Sequence, residues 1–320
     1  MTNEPAHNHI PDEAGVQRGL LLKRLKSQVG HNPSMPVRRV YDKCANAASV
    51  DDFVPQFGNV RTRIKRFRAS YIPPIPQTID DVNFQGSWCT TWKGDRFLRH
   101  VDNDWGIAVF ATKAMLNSLQ SAECLYIDGT FRTTPRPYKQ LITVHGLLHG
   151  FVLPLGFCLA TGKTIGHYRQ LMQCLKCAVM RLFRRNLQPR KAIIDFEASL
   201  MIAVETELPL AAISCCYFHF NQSLWRHVQH LGLVNDYRQD YNIRKVIRLV
   251  MAIGFLPVLL VLQNFRLITA RRSVRRLIRR QPQLGTWLEY AERTYVIPNS
   301  QFPPPVWNVY SRDINTRTNN

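Results

Sequence analysis

The sequence is short of acid. Its 22 Asp and Glu face 42 Lys and Arg over 320 residues, leaving a formal charge of +20. That imbalance favours a polyanionic partner, with nucleic acid ahead of an anionic membrane surface. Long apolar runs are missing as well. The longest, LVMAIGFLPVLLVL at residues 249–262, is shorter than the roughly 20 residues a membrane span needs and has Pro257 in its middle. It reads as a buried helix pair, and no membrane partner is expected. The polar, partly acidic start MTNEPAHNHIPDEAG lacks the apolar segment of a secretory signal, which argues against export. Cysteine is thin and scattered: Cys44, Cys89, Cys124, Cys158, Cys174, Cys177, Cys215 and Cys216 do not form the dense framework of a small secreted domain. Reduced thiols in the cytosol or nucleus are expected.

What is there is enough chain for one large domain or two smaller ones. Over residues 14–48, GVQRGLLLKRLKSQVG and VRRVYDKCANAAS read as two basic amphipathic helices split by HNPSMP. YIPPIPQTIDD is proline-rich and extended, which sets a boundary within residues 70–87. RFLRHV and GIAVFAT read as short strands either side of a DND turn, with a helix over KAMLNSLQSA. CLYID, YKQLITVHG and FVLPLGFCLA are apolar, β-branched runs separated by TTPRP and LLHG, the pattern of an antiparallel meander. HYRQLMQCLKCAVMRLFR has helical periodicity, and KAIID follows as the fourth strand of this set. The helix EASLMIAVETEL leads to a fifth strand, AAISCCYF, giving two parallel strands with crossover helices. Beyond Asp236 every stretch has helical periodicity. The expected fold is α/β: a mixed sheet flanked by helices, with an N-terminal helical lead-in and a C-terminal helical insertion.

In a chain with so little acid, two aspartates take matched positions. Asp128 ends CLYID and Asp195 ends KAIID. If those strands are neighbours, their last residues lie about 5 Å apart. Two carboxylates that close repel, and one is driven to protonate unless a cation sits between them, so the arrangement asks for a hard divalent ion, magnesium or manganese. Two such ions can activate the attacking oxygen and stabilise the leaving one in phosphodiester cleavage. The plainer alternative makes Asp128 the cap of a DGT turn and Asp195 the N-cap of FEASLM.

Three blocks carry a resemblance: YIDGTFRTTPRPYKQLITVHG, AIIDFEASLMIAVETELPLAAISCCYFHFNQSLWRHVQHLGL and FPPPVWNVYSRDINTRTNN. They resemble successive blocks of the Mutator-like element (MULE) transposases, over about residues 95–320. The resemblance implies a DDE enzyme on an RNase H-like catalytic fold, with Mg²⁺ or Mn²⁺ as cofactor. Its implied partner is DNA at transposon terminal repeats, and its implied activity is cleavage and strand transfer in DNA transposition. The first two metal-ligand roles fall on Asp128 and Asp195. The family's Cys-x-x-His motif falls on Cys216 and His219; one Cys and one His are half a zinc site, so a structural hydrogen-bonding role is expected there. A nuclear location follows from the supposed substrate, and oligomeric state is left open.

The family's third acid is a Glu on a helix a few residues past a block like RTNN, and this chain ends at Asn320. That acid is therefore expected to be missing; Glu289 and Glu292 in WLEYAERTYV could take its place in principle, since helical geometry would direct one of them inward, and Glu292 is the candidate. At the other end, AHNHIPD resembles the closing His-x-His segment of a FLYWCH-type zinc finger, with His7 and His9 as ligands. No cysteine pair precedes them, so Zn²⁺ is expected only in a longer protein. The expected organisation is a finger remnant at 1–12, a helical lead-in and Pro-rich linker at 13–87, the RNase H-like core at 88–232 and a helical insertion at 233–320. A catalytically inactive, domesticated or fragmentary DNA-binding protein is the alternative function.

LATGKT at residues 159–164 has the look of a phosphate-binding loop, but Gly156 is one residue too far from Gly162. CLKC has metal or redox spacing at Cys174 and Cys177 without a partner pair, so core packing is expected. RLFRRNLQPRK and RRSVRRLIRR concentrate guanidinium groups. Arg184, Arg185, Arg271, Arg272, Arg275, Arg276, Arg279 and Arg280 are the expected contacts to DNA phosphates, against the alternative of solvated helix faces.

Overall fold

The computed structural model describes residues 12–317 apart from residues 34, 49–53 and 73, so His7 and His9 lie outside the described residues. The chain divides into two compact units, residues 1–75 and 76–320.

Among the described residues, the first unit has three helices: α1 (Glu13–His31), α2 (Val37–Asn46) and α3 (Phe57–Ala69). Asp12 starts α1 by accepting the Gly15 N–H at 2.7 Å, satisfying one of the free donors of the first turn. Leu21, Leu25 and Val29 of α1 bury against Val40, Tyr41 and Cys44 of α2 and Val60 and Ile64 of α3. The third helix was not expected from the sequence. Its apolar residues fall at helical spacing, Phe57, Val60 and Ile64, but five basic residues crowd the segment and Gly58 weakens its helical preference.

The second unit is built on one seven-stranded sheet. Its elements run β1 (Leu98–Asp102), β2 (Ile107–Phe110), α4 (Lys113–Ser121), β3 (Cys124–Thr130), β4 (Gln140–Leu148), β5 (Phe151–Ala160), α5 (Ile165–Phe183), β6 (Lys191–Ile194), α6 (Ala198–Glu207) and β7 (Ala212–Cys215). The strand order is β1-β2-β5-β4-β3-β6-β7. The first five strands in that order pair antiparallel, and β3, β6 and β7 pair parallel. This is a mixed α/β sheet of the RNase H-like type, flanked by helices. Strand alternation divides its faces. Leu125, Ile127, Ala192 and Ile194 join the main core, while Cys124, Tyr126, Ile193 and Cys216 form a smaller cluster on the other side.

On the core side, α5 and α6 pack together and are clamped by one carboxylate. Glu207, only 6% exposed, lies 3.1 Å from Arg169 Nε, 2.9 Å from Gln173 Nε2 and 3.2 Å from Lys176 Nζ. Burial acts to raise its pKa, but those three donors outweigh it and hold the carboxyl below the usual range.

Helices follow: α7 (Tyr217–His230), α8 (Val234–Gln239), α9 (Tyr241–Ala252), α10 (Val258–Ala270), α11 (Arg272–Arg280), α12 (Pro282–Ala291) and α13 (Pro304–Trp307), with a π-helical turn over Glu292–Val296. Phe220 of α7 stacks on Trp307 at 4.2 Å between ring centres, and Trp307 Nε1 donates to the Tyr295 and Phe302 carbonyls. Phe196, just past β6, packs edge-on to Tyr295 and Phe302, so this aromatic cluster fixes the chain leaving β6. The long apolar run does split into two helices at Pro257, but it is not buried throughout. Leu259 is 92% exposed, because α10 turns only Val261, Phe265 and Ile268 fully inward. No helix among the described residues is long and apolar enough to cross a membrane.

Candidate metal centre

The pairing of β3 with β6 decides the geometry. Ile127 pairs with Ile194, so the residues that follow, Asp128 and Asp195, emerge from adjacent parallel strands at one height. Asp128 is not the last residue of its strand: β3 runs on to Thr130, and Asp128 pairs with Thr143 of β4. That leaves no turn for it to cap. Nor is Asp195 the N-cap of α6, a position held by Glu197 without a side-chain cap bond.

The fifth strand is shorter than AAISCCYF suggests. It stops at Cys215; Cys216 becomes the N-cap of α7, and His219 falls in its first turn. The Tyr217 N–H donates to the Arg317 carbonyl, anchoring this start. His219 consequently points between the aspartates. Its Nδ1 lies 2.9 Å from Asp195 Oδ1 and its Nε2 3.9 Å from Asp128 Oδ1. The shorter contact is off the line of the ring N–H, so it acts as a charge contact more than an aligned hydrogen bond. The three side chains offer ligand atoms within 4.8 Å of one another.

Each group bears on the others' protons. Burial works to lower the pKa of His219, but Asp195 and Cys216 outweigh it and push the ring up to about 10. Burial raises Asp128, the neighbouring charge of Asp195 raises it further, and His219 and His145 oppose both. An imidazolium thus sits where the two carboxylates need positive charge. The same donor set, two carboxylate oxygens and an imidazole nitrogen, suits a divalent ion, so these residues fit the metal that the resemblance implies.

From this point a cleft of about 600 Å³ opens, lined by Asp195, Glu197, Lys163 and one face of α7. His219, Gln222, Ser223, Arg226, His227 and His230 of that helix all face it, spaced three and four residues apart. Phe220, Leu224 and Val228 form the buried face of α7. Lys163 lies 3.3 Å from the ring centre of Phe131, also a cleft residue. Glu197 is the further carboxylate here, held 2.9 Å from the Tyr168 hydroxyl.

Glu289 and Glu292 are not cleft residues. Tyr290 at the end of α12 and Thr294 and Tyr295 of the π-helical turn line the cleft instead, and Glu289 is ion-paired with Arg293 at 2.6 Å. Sequence reasoning missed Glu197, Lys163, Arg226, His227 and His230. The signal was present in HFNQSLWRHVQH, whose polar residues recur at helical spacing opposite an apolar stripe.

The arginine patches separate. Arg184 and Arg185 are exposed where α5 ends, at the end of the sheet where β6 begins, opposite the end that delivers Asp195. On α11, Val274 and Leu277 are buried while Arg272, Arg275, Arg276 and Arg279 are exposed, as is Arg271 just before the helix. Arg280 is ion-paired with Asp240.

Residues 124–223 match the family model of the MULE transposase domain, which covers less than half of the chain. The match takes in Asp128, Asp195, Cys216 and His219 and does not extend to the segment of His7 and His9. No curated protein and no solved structure matches the chain significantly.

Proposed function

We propose that this transposase-derived protein binds DNA along the α7 cleft and holds magnesium or manganese between Asp128 and Asp195 for phosphodiester cleavage. The observation that carries the reading is the β3–β6 register, which brings two carboxylates together beside a cleft lined with cations. A divalent ion bound there supplies charge stabilisation at a reacting phosphate. Lys163 and Arg226 bind the phosphate backbone, and exposed arginines of α11 extend the contact surface. Gln222 and Ser223 orient the strand by hydrogen bonds. His219 is protonated without an ion and would release that proton to solvent to serve as a ligand. Glu197 supplies the third carboxylate, a role that Glu292 is not positioned to fill. Action on DNA of this kind belongs in the nucleus.

A second reading has its own support. The His219 imidazolium already offsets one of the two aspartate charges without an ion. A non-catalytic DNA-binding protein would keep the fold on those terms. Nicking of supercoiled DNA in Mg²⁺ or Mn²⁺ separates the two. We expect nicking that is lost in both Asp128→Asn and Asp195→Asn. Salt-sensitive DNA binding without nicking would leave the non-catalytic reading, and nicking unaffected by either substitution would remove the metal centre from the chemistry.

A further inference from the structure

We propose a second metal site, for zinc, formed by His100 and Asp102 of β1 with Cys174 of α5. An imidazole nitrogen, a carboxylate oxygen and a thiol sulfur lie within 4.8 Å of one another, Cys174 buried and the other two half-buried. They meet because β1 is an edge strand whose residues 100 and 102 share a side, and α5 packs across it. The carboxylate is already aimed. Asp102 Oδ1 accepts the Trp105 N–H at 3.1 Å, which fixes the turn after β1 and leaves Oδ2 toward α5.

What stands among these groups is a donor. Gln170, one turn before Cys174, donates its Nε2–H to Asp102 Oδ2 at 2.7 Å and lies 3.9 Å from Cys174 Sγ. The carboxamide holds the place of positive charge between a carboxylate and a thiol, and a cation would displace it. Cys177 is one turn further along α5 and exposed, outside this cluster. Cys174 of CLKC, which has no partner pair nearby in sequence, finds its partners on the edge strand. One nitrogen, one oxygen and one sulfur, with a fourth tetrahedral position left to solvent, select zinc over magnesium or calcium. Bound there, zinc ties β1 to α5 at the end of the sheet's strand order, away from the β3–β6 centre.

Cobalt(II) titration of the chelator-treated full chain tests the site, because thiolate ligands give cobalt a near-ultraviolet charge-transfer band that carboxylate and imidazole ligands do not. We expect the band to appear at one equivalent. It should persist in Asp128→Asn and Cys216→Ser, which alter the other centre, and disappear in Cys174→Ser. Should Cys174→Ser fail to fold, half-buried His100→Gln takes its place, with metal affinity weakened at least about tenfold. Zinc should compete the cobalt off. A wild-type chain without the band, a band indifferent to Cys174→Ser, or an affinity unchanged by His100→Gln would overturn the proposal.

Discussion

Asp195→Asn tests the electrostatics of the candidate metal centre through a change of sign. In the ion-free protein, burial acts to lower the pKa of His219, while Asp195 and Cys216 raise it from 6.5 to about 10. A rise of that size corresponds to about 5 kcal/mol of preference for the protonated ring. His219 and Asp195 side chains are 19% and 22% exposed, and solvent screening there brings the working figure to about 3 kcal/mol. The substitution also relieves the repulsion that raises Asp128, so the net loss of stability is about 2 kcal/mol near pH 6. The folded-state value lies above the unfolded one, so this stabilisation is complete below pH 6.5 and disappears as pH rises through about 10. Above that, the ring is neutral while the repulsion between the aspartates persists, and Asp195→Asn becomes the more stable protein. Urea denaturation of both proteins in chelator, across that pH range, gives the difference directly. A stability difference that stays constant with pH, or grows in alkali, would refute the reasoning.

Glu207→Ala should cost about 2 kcal/mol at neutral pH by stranding Arg169 and Lys176. The folded-state pKa of Glu207 lies below the unfolded one, so the deficit should be present above the ordinary carboxylate range and shrink as pH falls through the folded value, which acid titration of the two unfolding curves will register. Phe220→Ala removes a side chain 1% exposed and stacked on Trp307, and should cost about 3–5 kcal/mol in calorimetry or denaturation. Replacing Arg275 and Arg276 together by Ala should reduce the slope of log affinity for DNA against log salt by about 2. An unchanged slope would take α11 out of the interface.

The sheet was legible because its strands are short, β-branched and bounded by turn residues, and because Asp128 and Asp195 interrupt apolar runs at matched places. Their register was not written in either run; it arises from the parallel pairing of β3 and β6. The cleft was harder to read, because Lys163, Glu197 and the polar face of α7 come from separate elements and each looks ordinary where it stands. Lys163 drew attention only within a failed phosphate-loop spacing, and Glu197 only as part of a helix. Periodicity also hid the exposure of Leu259, since an apolar helix reads the same whether one neighbour or two cover it. The end of β7 misled for a local reason: Cys216, Tyr217 and Phe218 favour strands, yet the chain turns into α7 there and carries His219 to the aspartates.

The polar stripe of α7 has a fixed gauge. From His219 to His230 it rises roughly 16 Å along a straight helix. On the proposed DNA-binding reading, that length corresponds to about five nucleotide steps at 3.4 Å each. The footprint beside the acid pair would then be set by helix pitch: lengthening or shortening α7 by a residue would rotate every group beyond the insertion away from the cleft, while leaving the two aspartates where they are.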